Sequence, residues 1–233
     1  MNRNEENLMP KDAEPGLRDR KKARRRDDII AAAIDLFERK GVDATTVADI
    51  AEACDVSAPT VFNYFGSKDG ILVAIVEEGT QRKRESGSRK PRLEGVPLAD
   101  IVLDLFSEIS EETLDIASRR VWRYAEASVI RRPETDLSDR FRKTSRLLIE
   151  AIIDRLELYD LCTRAGKPME ITYLATLLYD LWMPCYLTLI TDPQTTLADH
   201  NAMLSQRITP LLTYVFDDAT LTATRLRPTG ETA

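Results

Sequence analysis

Residues 45–68 read TTVADIAEACDVSAPTVFNYFGSK, and two short apolar-periodic runs lie in them on either side of a polar break. Thr45 or Thr46 stands where a helix needs its N-cap, and Asp49, three residues after Thr46, has the spacing of a capping box. The first run therefore predicts a helix from Thr46 to Cys54, with Ile50 and Ala51 facing inward. Asp55-Val56-Ser57 is the turn, and Asp is among the few non-glycine residues that adopt positive φ. Ser57 caps a second helix, Ala58 to Tyr64, with Pro59 in its first turn, where a missing N–H costs little. Two short helices on a tight turn are a helix-turn-helix. Ala51 is small where the helices cross, Val56 plugs the turn, and Val61 and Phe65 close the inner face. The outer face of the second helix is left free for a major groove, where base edges can be told apart.

The chemistry of that outer face fits the task. Ser57, Thr60, Asn63 and Tyr64 offer uncharged hydrogen-bonding groups, and Pro59 offers an apolar surface suited to a thymine methyl. Gly66-Ser67 breaks the chain, and Ser67 caps a further helix running from Lys68 into the mid-eighties. Lys68 and the free N–H groups there make a phosphate site, as do Thr45 and Thr46 at the earlier helix. Upstream, Arg18 to Lys40 reads as one long helix stopped by Gly41, with Ile30, Ala33, Ile34 and Phe37 on one face. Its start, RDRKKARRR from Arg18 to Arg26, is strongly basic in a chain of net charge −6. A cationic cluster on an acidic chain points to a positioned anion, with Arg24 and Arg25 as phosphate or minor-groove contacts; a solvated charge run is the plainer alternative.

Taken together, residues 20–80 resemble the tetracycline-repressor (TetR) family, in which a long first helix precedes a signature of the type T-x-x-x-I-A-x-x-A-G-V-S-x-x-T-x-Y-x-x-F-x-x-K. Thr46, Ile50, Ala51, Val56, Ser57, Thr60, Phe65 and Lys68 stand at matching positions. Asp55 replaces the usual turn glycine and Phe62 the usual tyrosine, which removes a hydroxyl. The resemblance implies that Pro59, Thr60 and Phe62 face the groove and that Thr46, Ser57, Asn63, Tyr64 and Lys68 contact phosphates. Packing is the competing role for Phe62.

The rest of the chain has no strand alternation, so the expected fold is all-α. Residues 1–17 read as a polar arm, 18–86 as the helix-turn-helix domain with its connecting helix, 98–218 as a helical ligand-binding and dimerisation domain, and 219–233 as a loose tail. The boundary falls in SGSRKPRLEGVP, rich in glycine, proline and charge. Ile171 to Ile190 is apolar enough to tempt a membrane assignment, but Asp180 and Pro184 interrupt it and no basic cluster flanks it, so a buried helix is expected. Three well-separated cysteines form neither a disulfide framework nor a zinc pattern, so no metal or cofactor is expected and a reducing cytoplasm is the natural compartment. The single histidine, His200, lies in the polar stretch LADHNA and is expected at the surface. No nucleophile elbow or P-loop points to an enzyme.

The family resemblance further implies a homodimer through the last two long helices, Ile171–Ile190 and Leu197–Phe216, and a ligand cavity among the central helices. A dimer reads two half-sites about 34–36 Å apart on double-stranded operator DNA. Phe106, Trp122, Tyr124, Trp182, Met183 and Tyr186 are the candidate lining residues for an apolar or amphipathic small-molecule effector, each of them equally at home in a core. Pro184 would kink its helix and open space. Asp180 has three open roles: ligand contact, a pair with Arg119, Arg120 or Arg123, or solvent. The expected function is a ligand-responsive repressor; the alternative is a helical protein-binding adaptor.

Overall fold

A computed structural model describes residues 16–86 and 93–227. The expected arm lies outside the described residues up to residue 15, as do residues 87–92 of the junction and 228–233 of the tail. The described chain is helical, and among its residues the only β-type pairings are three isolated bridges.

Four helices build the N-terminal part: α1 (Leu17–Lys40), α2 (Val47–Ala53), α3 (Ala58–Phe65) and α4 (Lys68–Ser86). α1 forms because its apolar residues recur on one face, and Ile29, Ile30, Ala33, Leu36 and Phe37 are all buried. Gly41 ends it at φ 88°, and its N–H closes back on the Phe37 carbonyl at 3.0 Å. The first turns, through Arg25, carry no buried residue. α4 is different in kind. Ile71 through Val76 are buried without a break, because the start of this helix is enclosed by α1, α3 and the helices that follow. Gly70 permits that enclosure, since a Cβ there would sit 1.9 Å from the Phe65 carbonyl oxygen.

The remaining helices are α5 (Leu98–Ile116), α6 (Arg119–Arg131), α7 (Asp136–Leu156), α8 (Ile171–Thr191), α9 (Leu197–Val215) and a short α10 (Asp218–Thr222). α5 packs on α9, α9 on α8, α8 on α7, and α6 lies against both α7 and α8. By length and hydropathy α8 would pass as a membrane span. It instead buries Leu174, Ala175, Leu178, Trp182, Cys185, Tyr186, Leu189 and Ile190 within this bundle. It runs on as helix through Pro184, which is exposed.

Two expectations are corrected here. The chain after Ala219 is not loose as far as Arg227: Thr224 is buried and donates its N–H and hydroxyl to the Val96 carbonyl at 3.0 and 2.8 Å, while Asp160 and Arg227 complete a backbone clasp with Arg225 and Leu158. A polar composition concealed this because the partners lie far away in sequence. His200 is not at the surface. It is 0% exposed, with Nε2 2.8 Å from the Ser110 hydroxyl. Ser110 gives its one hydrogen to the Phe106 carbonyl at 2.8 Å and receives the Trp182 indole N–H at 3.1 Å.

Candidate functional site

The turn between α2 and α3 carries the strained residue that the sequence called for. Asp55 has φ 52°, and the Val56 N–H reaches the Ala51 carbonyl at 2.9 Å. Thr46 is the N-cap of α2: it accepts from the Asp49 N–H at 3.1 Å, and its own N–H donates to the Asp49 carboxylate at 2.8 Å. That backbone N–H holds the Asp49 carboxyl below its usual pKa. Ser57 caps α3, and its hydroxyl lies 2.8 Å from that of Thr60. With Ile50, Ala51 and Val61 buried beneath, the two helices pack as one unit.

That unit turns a defined set of side chains outward. Pro59, Phe62 and Asn63 are exposed and lie at i, i+3 and i+4, one stripe along α3. Phe62 is 60% exposed, so it is not the packing residue it had the option to be. Thr60 and Tyr64 are half-buried on the flank of the stripe. Arg24 and Arg25 are exposed on α1. Arg26 has a structural place: its Nε donates to Glu78 at 2.8 Å, and its guanidinium lies 4.7 Å over the Phe65 ring, tying α1, α3 and α4 together.

Two of the expected phosphate contacts are turned inward. Thr45 is 0% exposed, and its hydroxyl donates to the Gly41 carbonyl at 2.8 Å. It stitches the α1–α2 loop, and Thr46 alone presents itself at the surface. Lys68 reaches back across the same loop, donating from Nζ to the carbonyls of Val42 at 2.5 Å and Thr45 at 3.0 Å. Its charge is spent on holding the start of α4 against the start of α2.

The model of "Bacterial regulatory proteins, tetR family" matches residues 29–75, the segment spanning this unit. Over this segment the chain is similar to the TetR family. TcmR, an HTH-type transcriptional regulator of Streptomyces glaucescens, is 47% identical over 62 residues, 27% of each chain. The repressor BdcR of Escherichia coli is 34% identical over 98 residues, 40% of this chain and 43% of its own. The chain thus spans less than half the length of these curated relatives. Solved structures extend the likeness in fold. Salmonella enterica GusR superposes with a TM-score of 0.58 at 22% identity, covering 82% of this chain and 96% of that one. Thermus thermophilus FadR, a TetR-family repressor solved with lauroyl-CoA, gives 0.52 at 21%, covering 81% and 94%.

The bundle beyond α4 gathers most of the expected aromatic residues. Trp182 stacks on Tyr186 at 4.7 Å between ring centroids and on Phe106 at 6.3 Å, and Trp122 meets Tyr186 edge-on at 6.4 Å. Phe141 and Tyr179, which the sequence reading missed, complete the cluster from α7 and α8. Tyr124 does not join it. It lies half-buried near Asp69 and Asp43, toward the N-terminal helices, and burial raises its hydroxyl pKa. Met183 is half-buried against the core. Asp180 is exposed, and of its suggested partners Arg119 holds the Asp192 and Thr195 carbonyls while Arg120 holds those of Glu38 and Arg39.

A half-buried acid, Glu126, lies beside Tyr186 at this cluster. It sits one helical turn after Trp122 on α6, so the spacing held the signal, although a glutamate on a helix ordinarily reads as solvent-facing. Burial pushes its carboxyl pKa up, and a hydrogen bond from Tyr186 works against that shift. Tyr186 is itself raised well above its usual value by burial and then by the neighbouring Glu126. A groove of about 290 Å³ lies apart from the cluster, between α5 and α9, lined by Leu103, Asp104, Ser107, Asn201 and Leu204.

Proposed function

We propose that the protein is a sequence-specific, dimeric transcription repressor of the cytoplasm that leaves its operator when a small amphipathic molecule binds the second domain. The observation that carries the reading is the outward stripe of α3 on a capped helix-turn-helix, beside a helix whose exposed start carries Arg24 and Arg25. Thr46, Ser57, Thr60, Asn63 and Tyr64 serve as contacts around that stripe. TcmR and BdcR, similar over this part, are transcriptional regulators by name, which favours DNA over the adaptor alternative.

A single α3 is too small a reader for high specificity, and a second copy supplies the second half-site. The exposed apolar residues of the last long helices, Tyr173 and Leu187 on α8 and Tyr214 on α9, suit a dimer face. The effector site is the region of Trp122, Phe106, Trp182 and Tyr186, with Glu126 as the polar group that orients the ligand. FadR, solved with lauroyl-CoA, is the kind of amphipathic precedent this chemistry suits.

Residues 18–86 act as the DNA-binding domain and 98–218 as the effector and dimer domain. The two adjacent arginines at the start of α6 couple them. Arg120 holds the last carbonyls of α1 at 3.1 and 3.3 Å, while Arg119 holds the α8–α9 turn at 2.8 Å. A ligand that shifts α6 therefore biases α1, and it acts only by binding the two arrangements with different affinity. The test is selection of duplexes from a random pool by the purified chain, followed by titration with salt and competitor. A palindromic site that resists competitor DNA supports the proposal; weak, salt-sensitive binding without sequence preference refutes it.

A further inference from the structure

The outward stripe of α3 has an unusual chemical balance. The helix sequence APTVFNYF contains no charged residue. The strongest direct contact to guanine comes from arginine or lysine, and that to cytosine N4 from a carboxylate. Neither side-chain class is present on this helix. The Ser57 and Thr60 hydroxyls lie 2.8 Å apart, already partnered with each other at the cap. What remains outward is the Pro59 ring, the Phe62 ring at 60% exposure and the Asn63 amide. An exposed phenylalanine gains nothing from phosphates. In the major groove the apolar feature it can meet is the thymine C5-methyl, and the asparagine amide matches adenine N6 and N7.

We propose that α3 reads its operator through thymine methyl groups. Phe62 and Pro59 form an apolar ridge that takes the methyls of neighbouring thymines, and Asn63 reads an adjacent adenine. The proposal rests on the DNA-binding reading above and deepens it by naming the bases. The half-site is thus built on A·T pairs where α3 touches it, and Phe62 is the residue that distinguishes thymine from cytosine.

The test uses the full chain and a duplex selected from a random pool. The selected thymines facing α3 are replaced by deoxyuridine, which keeps the pairing edge and removes the methyl. Affinity is expected to fall about 4-fold for each methyl lost from contact, and roughly 15-fold when one is removed in each half-site. Phe62→Ala, a change at an exposed position, should lose the thymine–uracil difference at the position Phe62 faces and keep only the part of it that Pro59 supplies. A selected half-site without thymine at these positions, or a uracil duplex bound as tightly as its thymine parent by the unaltered chain, overturns the proposal while leaving DNA binding intact. Failure to select any sequence overturns the DNA-binding reading and this inference with it.

Discussion

Replacing Lys68 with methionine separates two roles that the sequence alone could not. As a phosphate contact, Lys68 would contribute to the salt dependence of DNA binding and little to folding. In the structure its ammonium donates to the Val42 carbonyl at 2.5 Å and to Thr45 at 3.0 Å, with a longer approach to Asp43 at 3.4 Å. A hydrogen bond from a charged donor contributes about 1.5–3 kcal/mol. Lys68 is half-buried, so the lower end applies, and two good bonds give about 3 kcal/mol at most. Methionine retains the apolar stem and removes the donors. At roughly 2–4 °C per kcal/mol for a chain of this size, the melting midpoint should drop by at most about 6–12 °C. The paired assay is a thermal melt and a salt titration of binding to the selected duplex. A lost phosphate contact would lower the slope of log K against log salt by about 0.9. The expected result is a lower midpoint with an unchanged slope. An unchanged midpoint with a slope shallower by about one would show that Lys68 contacts DNA and that the loop staple is energetically idle.

Arg120→Ala should weaken the effect of an effector on DNA affinity more than it weakens DNA binding itself, because it releases the carbonyls of Glu38 and Arg39 from α6; equal effector responses in both chains would contradict the coupling. Burial raises the Glu126 carboxyl pKa from its usual 4.5, so the folded state holds its proton longer than the unfolded chain does. That group therefore costs stability increasingly as pH rises above about 4.5, and Glu126→Gln should stabilise the protein at pH 8 but not near pH 4. Equal melting shifts at both pH values would argue against it. His200 is the converse: burial lowers its pKa from 6.5, the unfolded chain binds the proton first, and stability is complete above about pH 6.5 and lost as pH falls toward the folded value. His200→Gln should remove that part of the acid loss, read as a smaller difference in midpoint between pH 7 and pH 5.

The elements of the helix-turn-helix unit were legible because each is set by neighbours a few residues away. The Thr46–Asp49 capping box, the Ser57 cap, the positive φ of Asp55 and the Gly41 stop all act within one turn, and the residue types alone nearly dictate them. The apolar periodicity of α5 to α9 is local in the same sense. The outward direction of Pro59 and Asn63 followed from knowing which residues of α3 must face α2.

Only the tertiary structure decided what depends on a distant partner. Nothing in the dipeptide Thr45-Thr46 says which threonine is buried; the choice is made by the Gly41 carbonyl and the closure of the α1–α2 loop. Lys68 carries the same charge whether it meets a phosphate or the carbonyls of Val42 and Thr45, more than twenty residues earlier in the chain. His200 was judged by its polar neighbours, yet α9 turns it toward Ser110 on α5, where packing across the bundle outweighs the character of the local sequence. Asp180 and Glu126 divide the same way, each an acid on an apolar helix face, one exposed and one half-buried beside Tyr186. The sequence by itself determined the helices and their caps, because those are interactions along the chain; the structure decided which polar groups are spent inside and which are left for a partner, because that depends on which helices meet.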